Sequence, residues 1–436
     1  MAAIITDYLR INNARSFIED IRDSNQSYYT FVGLPNSNEI SYNWDNNPIS
    51  PKDSFSEDND IWDTIIALKK ISPDDIRPVV RRIPWESGTI YDSYRHDISR
   101  ENLSSPSNKT SLYSSNYYVI NKDFRVYICL SNGTDPENPN GKPSLDQPTF
   151  TDLEPREAGT SGDGYIWKYL YTINPNDIIK FDSLNFIPLP IDWSTNQDYS
   201  PVRNNALSSG QLKQIFIKDR GTLVGPPNIT YTDVPISGDG TGAKCTIVVN
   251  NDSKVENIII SQGGSGYTFG TVDLISGSVP TGGSSPSFDV IIPPPNGHGY
   301  DIYKELGATN VLIYSRIEND TENPDFVTGT KVSRIGIVKN PLEYNASTIL
   351  TDDRVSSLGA IKLIGLAPNQ DDYKITTFDP NTIITQTVGT GVTAVGRVIS
   401  YDNQTGVLKY WKDKTLCGFN TDGTRNPNPT YGFADN

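Results

Sequence analysis

Apolar and polar positions alternate most sharply over residues 162–173, Gly-Asp-Gly-Tyr-Ile-Trp-Lys-Tyr-Leu-Tyr-Thr-Ile. Tyr165, Trp167, Tyr169 and Tyr171 occupy every second position, the period of a strand with one aromatic face. The Gly-Asp-Gly before them is a turn signal. Phe124, Val126, Ile128 and Leu130 alternate in the same way, and 211–218, 310–317 and 332–339 are further strand candidates. Prolines exclude Phe186-Ile187-Pro188-Leu189-Pro190 from the centre of a sheet. A helical period appears at 7–23, where Tyr8, Ile11, Ala14, Phe17, Ile18 and Ile21 share a face behind a cap at Thr6 or Asp7. A second helix is expected at 60–71, with Ile61, Trp62, Ile65, Ile66 and Ile71 as its apolar side. Ser72-Pro73-Asp74-Asp75 reads as a capped restart, because Pro suits the first helical position. Val79-Val80-Arg81-Arg82-Ile83-Pro84-Trp85 is extended.

Two regions differ from the rest. Residues 132–164 form a polar Pro/Gly/Asn loop, longer than connectors usually are. Residues 226–300 are Gly-rich and bounded by Gly225-Pro226-Pro227 and Pro293-Pro294-Pro295, and they read as an inserted β-module. The C-terminal part echoes it: Gly389-Thr390-Gly391, a strand at 395–401, a polar turn, then 407–411. The echo is either an internal repeat or two ordinary hairpins.

The chain has 436 residues, with 36% hydrophobic content, 34 Gly, 30 Pro and 24 Tyr. This favours short strands joined by polar loops and disfavours helix bundles. The formal charge of −15 opposes phosphate binding, so no nucleic-acid partner is expected. Cys129, Cys245 and Cys417 are distant and odd in number, which argues against a disulfide framework. Met1-Ala-Ala-Ile-Ile-Thr-Asp lacks the basic and apolar regions of a signal peptide, and no apolar run reaches membrane-span length, so no membrane insertion is expected.

Candidate chemistry is sparse. His96 and His298 lie in polar or Gly-flanked segments and read as surface residues, and no Gly-x-Ser-x-Gly elbow accompanies them. Zinc lacks ligands. Asp135-Pro136-Glu137-Asn138-Pro139-Asn140-Gly141 resembles a calcium loop, but Pro139 takes a ligand position and the glycine comes one residue late. Gly238-Asp239-Gly240-Thr241-Gly242-Ala243 satisfies a dinucleotide fingerprint only formally, since a strand-like run follows it where a helix is needed. The 52 acids contain no local signature of a glycosidase pair. No catalytic, cofactor or metal residue is assigned.

The segments already quoted resemble one family, the baseplate wedge subunit (gene product eight) of contractile-tailed bacteriophages. The resemblance rests on Gly162-Asp163-Gly164-Tyr165-Ile166-Trp167-Lys168-Tyr169-Leu170 with Asn174-Pro175 after it, and on Tyr28-Tyr29-Thr30-Phe31-Val32-Gly33. It rests also on Ile61-Trp62 with the Arg81-Arg82 pair and Trp85, and on Ser333 to Glu343, which contains Asn340-Pro341-Leu342-Glu343. It covers about 28–225 and 300–345. It implies a mainly β fold, a layered β-sandwich with a few helices in excursions. The expected division is 1–225 core with an N-terminal helix, 226–300 inserted module, 301–345 second core part and 346–436 C-terminal β extension. It implies a structural virion protein of the tail baseplate, made in the host bacterial cytoplasm. The implied partners are other baseplate wedge proteins and a second copy in a homodimer; no catalytic residue or cofactor is implied.

Tyr and Trp are favoured interface anchors. Trp62 and Trp167 are expected in the core, and Trp44, in a polar segment, as a contact. The alternative function is a carbohydrate-binding tail adhesin using the Gly-rich module; a polysaccharide-cleaving enzyme is a third reading.

Overall fold

The aromatic stretch is a strand, Tyr165–Thr172, near the middle of an antiparallel sheet ordered Tyr118–Ile120, Arg125–Asn132, Tyr165–Thr172, Arg156–Glu157. The computed structural model describes residues 6–33, 61–62, 65–206, 210–319, 324, 332, 334–343, 346–356, 358–363, 377–390, 392–411 and 433–434. The chain is mainly β, 38% strand against 13% helix, as the sequence predicted. It divides into two units: Met1–Ile18 with Ile76–Leu312, and Glu19–Asp75 with Ile313–Asn436.

In the first unit the core gathers around that sheet. Arg125–Asn132 is buried at every position after Arg125, so the sheet is covered on both faces. Trp167, Tyr165, Tyr171, Tyr127 and Tyr117 fill the core together with Val80 and Ile187 from a second small sheet. That sheet is ordered Asn310–Ile313, Ile76–Arg81, Phe186–Pro188. The proline-bearing strand lies at its edge, where a missing N–H costs no ladder bond. Alternation in the aromatic strand is interrupted. Val126 faces Tyr171 and Tyr127 faces Tyr169, leaving Leu170 as an extra, bulged residue. Tyr169 is half-buried and Lys168 is buried.

A separate core in the same unit belongs to the Gly-rich region. Its sheet is ordered Val255–Ser265, Thr241–Val249, Thr230–Gly238, Gly270–Val272. Strands Gln214–Asp219 and Ser287–Ile291 pair with each other and supply Ile215 and Val290 to the same core. The hairpin turn after Val249 is closed by Asn250, whose Oδ1 accepts from the Asp252 and Lys254 N–H groups at 3.0 Å each.

The second unit holds two antiparallel sheets. One is ordered Arg334–Lys339, Tyr28–Gly33, Ile65–Lys70, Arg354–Ser356; the other is Leu358–Lys362, Val407–Trp411, Val392–Asp402, Ile383–Gly389. Ile66 of the first and Ile399 and Trp411 of the second form a shared core with Val32 and Leu358 against it.

The first helix, Asp7–Arg22, forms as predicted, with Ile11, Ile18 and Ile21 buried, although Tyr8 is exposed. The expected helix at 60–71 is corrected. Only Ile61 and Trp62 are helical among its described residues, and Ile65–Lys70 is a strand paired on both edges. Isoleucines stiff at χ1 favour the pleated form once two partner strands are available, and the helical spacing was fortuitous. Trp62, expected in the core, is 53% exposed. The capped restart is one 3-10 turn, Pro73–Asp75, in which the Ser72 hydroxyl donates to Asp75 Oδ2 at 2.6 Å. Trp44 and Cys417 lie outside the described residues.

Candidate interaction surface

The motif residues act first on the chain's own loops. Asp163 is buried, and its carboxylate accepts from Leu145 N–H at 2.8 Å and from Tyr165 N–H at 3.0 Å. One side chain thus ties the long polar loop to the start of the aromatic strand. Gly164, at φ +82°, makes the close approach possible: a Cβ there would meet Gly133 Cα at 2.9 Å. Gly162 is also left-handed, at φ +70°. The Tyr165 hydroxyl donates to Lys142 O at 2.8 Å and accepts from Tyr91 N–H at 3.0 Å. Tyr165 stacks on Trp167 with centroids 5.3 Å apart, and Tyr91 meets Trp167 edge-on at 5.9 Å.

The other motif residues are ties of the same kind. Trp85 Nε1 donates to Ser144 Oγ at 3.1 Å, again holding the polar loop. Arg81 donates to Ser115 O at 2.7 Å, and Arg82 pairs with Asp182. In the second unit Asn340, at φ 50°, takes Ser27 N–H on Oδ1 at 2.8 Å and gives its own N–H to Ser27 O at 2.7 Å. Pro341 O accepts from Leu350 N–H at 2.7 Å, and Glu343 accepts from the Thr348 hydroxyl at 2.7 Å. The structure therefore keeps Gly162–Tyr169 and Arg81–Trp85 in one unit and Asn340–Glu343 in the other, each as an internal clamp.

Exposed apolar surface lies elsewhere. Strand Arg334–Lys339 stands at an edge of its sheet among the described residues, with Ile335 at 80% exposure and Ile337 exposed beside it. Both line an open groove of about 550 Å³ together with Thr30, Val32, Ile313 and Ile317. Among the described residues its walls carry no charged side chain, and large exposed apolar patches mark contact sites. In the first unit Ile179 of the short helix Pro175–Phe181 and nearby Leu184 are 82% and 94% exposed. The sequence placed Ile335 and Ile337 in a family strand; their shared outward face follows from the i, i+2 spacing, but which face is covered does not.

His298, expected at the surface, is buried instead. Its Nδ1 lies 2.6 Å from Glu305 Oε1, and Glu305 Oε2 accepts from Gly299 N–H at 2.7 Å. Tyr94 covers the ring edge-on at 4.7 Å. The flanking glycines signalled a turn; the helix Ile302–Leu306 that folds over it is a tertiary event. His96 is exposed and accepts from Ile292 N–H at 3.2 Å. Asp135 Oδ1 accepts from Asn138 N–H at 2.7 Å, and its Oδ2 pairs with Lys142 at 3.1 Å, so the calcium-like loop satisfies its own carboxylate. Among the described residues no group of three or more His, Cys, Asp or Glu is placed to hold a metal ion. A strand, Thr241–Val249, follows the Gly-x-Gly run where a dinucleotide site needs a helix. No helix among the described residues is long and apolar enough to cross a membrane.

Residues 3–155 match the Phage-Gp8 family model, described as bacteriophage T4 Gp8, so the resemblance read from the motifs stands. The matched stretch contains Tyr28–Gly33, Arg81, Arg82 and Trp85; the aromatic strand and Asn340–Glu343 lie beyond it. No curated protein matches the chain. The match supports a structural component of a phage baseplate, located in the virion.

Proposed function

We propose that the chain is a non-enzymatic wedge subunit that assembles by protein–protein contacts and helps hold the baseplate until the tail sheath contracts. The match of residues 3–155 to the gp8 family carries this reading. The apolar groove beside strand Arg334–Lys339 supports it, since a structural subunit needs surface that neighbours cover. Its partners are other wedge proteins and a second copy of itself, joined through a self-complementary patch. It is made in the host cytoplasm and leaves in the particle. The test is co-purification from cells expressing the other tail proteins, with light scattering on the isolated chain. A dimer that captures wedge proteins supports the proposal; a monomer that captures none overturns it. For the adhesin reading, Tyr267 is buried with its hydroxyl donating to Ile236 O at 2.9 Å and cannot stack on a sugar, which leaves Phe269, 59% exposed, as an aromatic of the Gly-rich region that a sugar could meet.

A further inference from the structure

Lys168 is the least expected residue of the aromatic strand. It is 3% exposed. Its Nζ donates to Leu153 O and to Asn205 Oδ1, both at 2.8 Å. Asn205 ends the short helix Ser200–Asn205, and its Nδ2 donates to Glu154 Oε1 at 2.7 Å. An amine, a primary amide and a carboxylate thus stand in one hydrogen-bonded line, with the amide between the other two.

Each member is prepared for one reaction. Burial lowers the Lys168 pKa to about 8, so a useful fraction of the amine is neutral and nucleophilic near physiological pH. The amide is held against it: reacting atoms about 3–3.5 Å apart are a near-attack pair, and a carbonyl already hydrogen-bonded to the amine is close to that. Rotation about the broad Asn χ2 torsion turns the amide face toward Nζ. Glu154 is exposed, accepts from the leaving-group nitrogen Nδ2 and pairs through Oε2 with Lys213 at 3.3 Å; the Asn205 hydrogen bond and the Lys213 charge lower its pKa and keep it ionised, a weak base placed at the departing nitrogen.

We propose that Lys168 and Asn205 become joined by an intramolecular isopeptide bond, with Glu154 as the proton carrier. Neutral Nζ attacks Asn205 Cγ, the Nζ–Cγ bond forms, and the C=O electron pair moves onto Oδ1. In the tetrahedral intermediate Nζ and Nδ2 share Cγ, so Glu154, which already accepts from Nδ2, takes the Nζ proton there and returns it to Nδ2. The tetrahedral intermediate collapses, the Cγ–Nδ2 bond breaks, and ammonia leaves past the exposed Glu154. An amine and a primary amide become a secondary amide and ammonia. No oxidant, metal or cofactor enters the balance. The link ties the aromatic sheet to the Ser200–Asn205 helix across a sequence separation of 37 and constrains the unfolded chain as a disulfide does, without being reducible.

The test is the intact mass of the full chain, followed by peptide mapping, after incubation at about pH 9, where most of the amine is neutral. The expected mass is lower than that of the sequence by one ammonia, with the Lys168 and Asn205 peptides recovered as one branched species. Below pH 8 the rate of formation rises about tenfold per pH unit, levelling above it. Glu154→Gln slows formation at least tenfold, and Lys168→Arg and Asn205→Ala each keep the full mass. Full mass with separate peptides in the wild-type chain overturns the proposal. So does an ammonia loss that persists in Lys168→Arg, which would report a succinimide at Asn205. The wild-type measurement decides whether or not the variants fold.

Discussion

Replacing Asp163 with alanine removes the clamp between the polar loop and the aromatic strand. Two short hydrogen bonds to the carboxylate are lost, from Leu145 N–H at 2.8 Å and Tyr165 N–H at 3.0 Å, with a long third from Asp146 N–H at 3.5 Å. Each short one contributes about 1.5–3 kcal/mol. Leu145 is exposed, and its N–H can turn to water, whereas Tyr165 is fully buried and its N–H is left without a partner. The net cost is then about 3 kcal/mol, nearer the lower end of the sum. In a unit of this size that lowers the melting temperature by roughly 6–12 °C. Calorimetry follows the transition, and amide hydrogen exchange locates the change, with protection lost at Leu145 and Tyr165 first. Asp163→Asn keeps one acceptor and costs about half as much. A shift under about 2 °C for alanine, with exchange unchanged, would refute the clamp.

Further outcomes follow from the same geometry. Gly164→Ala forces a left-handed non-glycine residue and a Cβ against Gly133, and is expected to cost at least 1–2 kcal/mol in chemical denaturation. Trp167→Ala empties the centre of the core and is expected to cost about 3–5 kcal/mol, measured the same way. Burial raises the Tyr29 pKa to about 12, and Tyr117 and Tyr171 are also held well up by burial. Their unfolded forms ionise near pH 10, so stability is intact below that and falls as pH rises through 10 towards 12. Phenolate absorbance should therefore rise in two stages, exposed tyrosines near pH 10 and buried ones only with unfolding; one smooth rise near pH 10 in a folded chain contradicts this. Ile335→Glu with Ile337→Glu leaves folding intact by circular dichroism and weakens capture of wedge proteins at least tenfold; unchanged capture removes the groove from the interface.

Strands with clean alternation were legible because each carries its own period: Arg125–Asn132, Tyr165–Thr172 and Arg334–Lys339 all formed. The helix Asp7–Arg22 was legible for the same reason. Ile65–Lys70 was not, because its β-branched isoleucines also satisfy a helical spacing and only the partner strands decide. The bulge at Leu170 could not be read either, since a bulge is a property of pairing. Lys168 stood in plain view, a cation inside an aromatic run. Its burial, like that of His298, depends on segments far away in sequence, and so does the amide it meets.

The most direct measurement is an electron-microscopy reconstruction of an assembled tail at a resolution that traces chains. The account requires this chain in the baseplate, with the groove at Ile335 and Ile337 covered by another protein or a second copy. A baseplate that lacks the chain, or holds it with that face open to solvent, would contradict it.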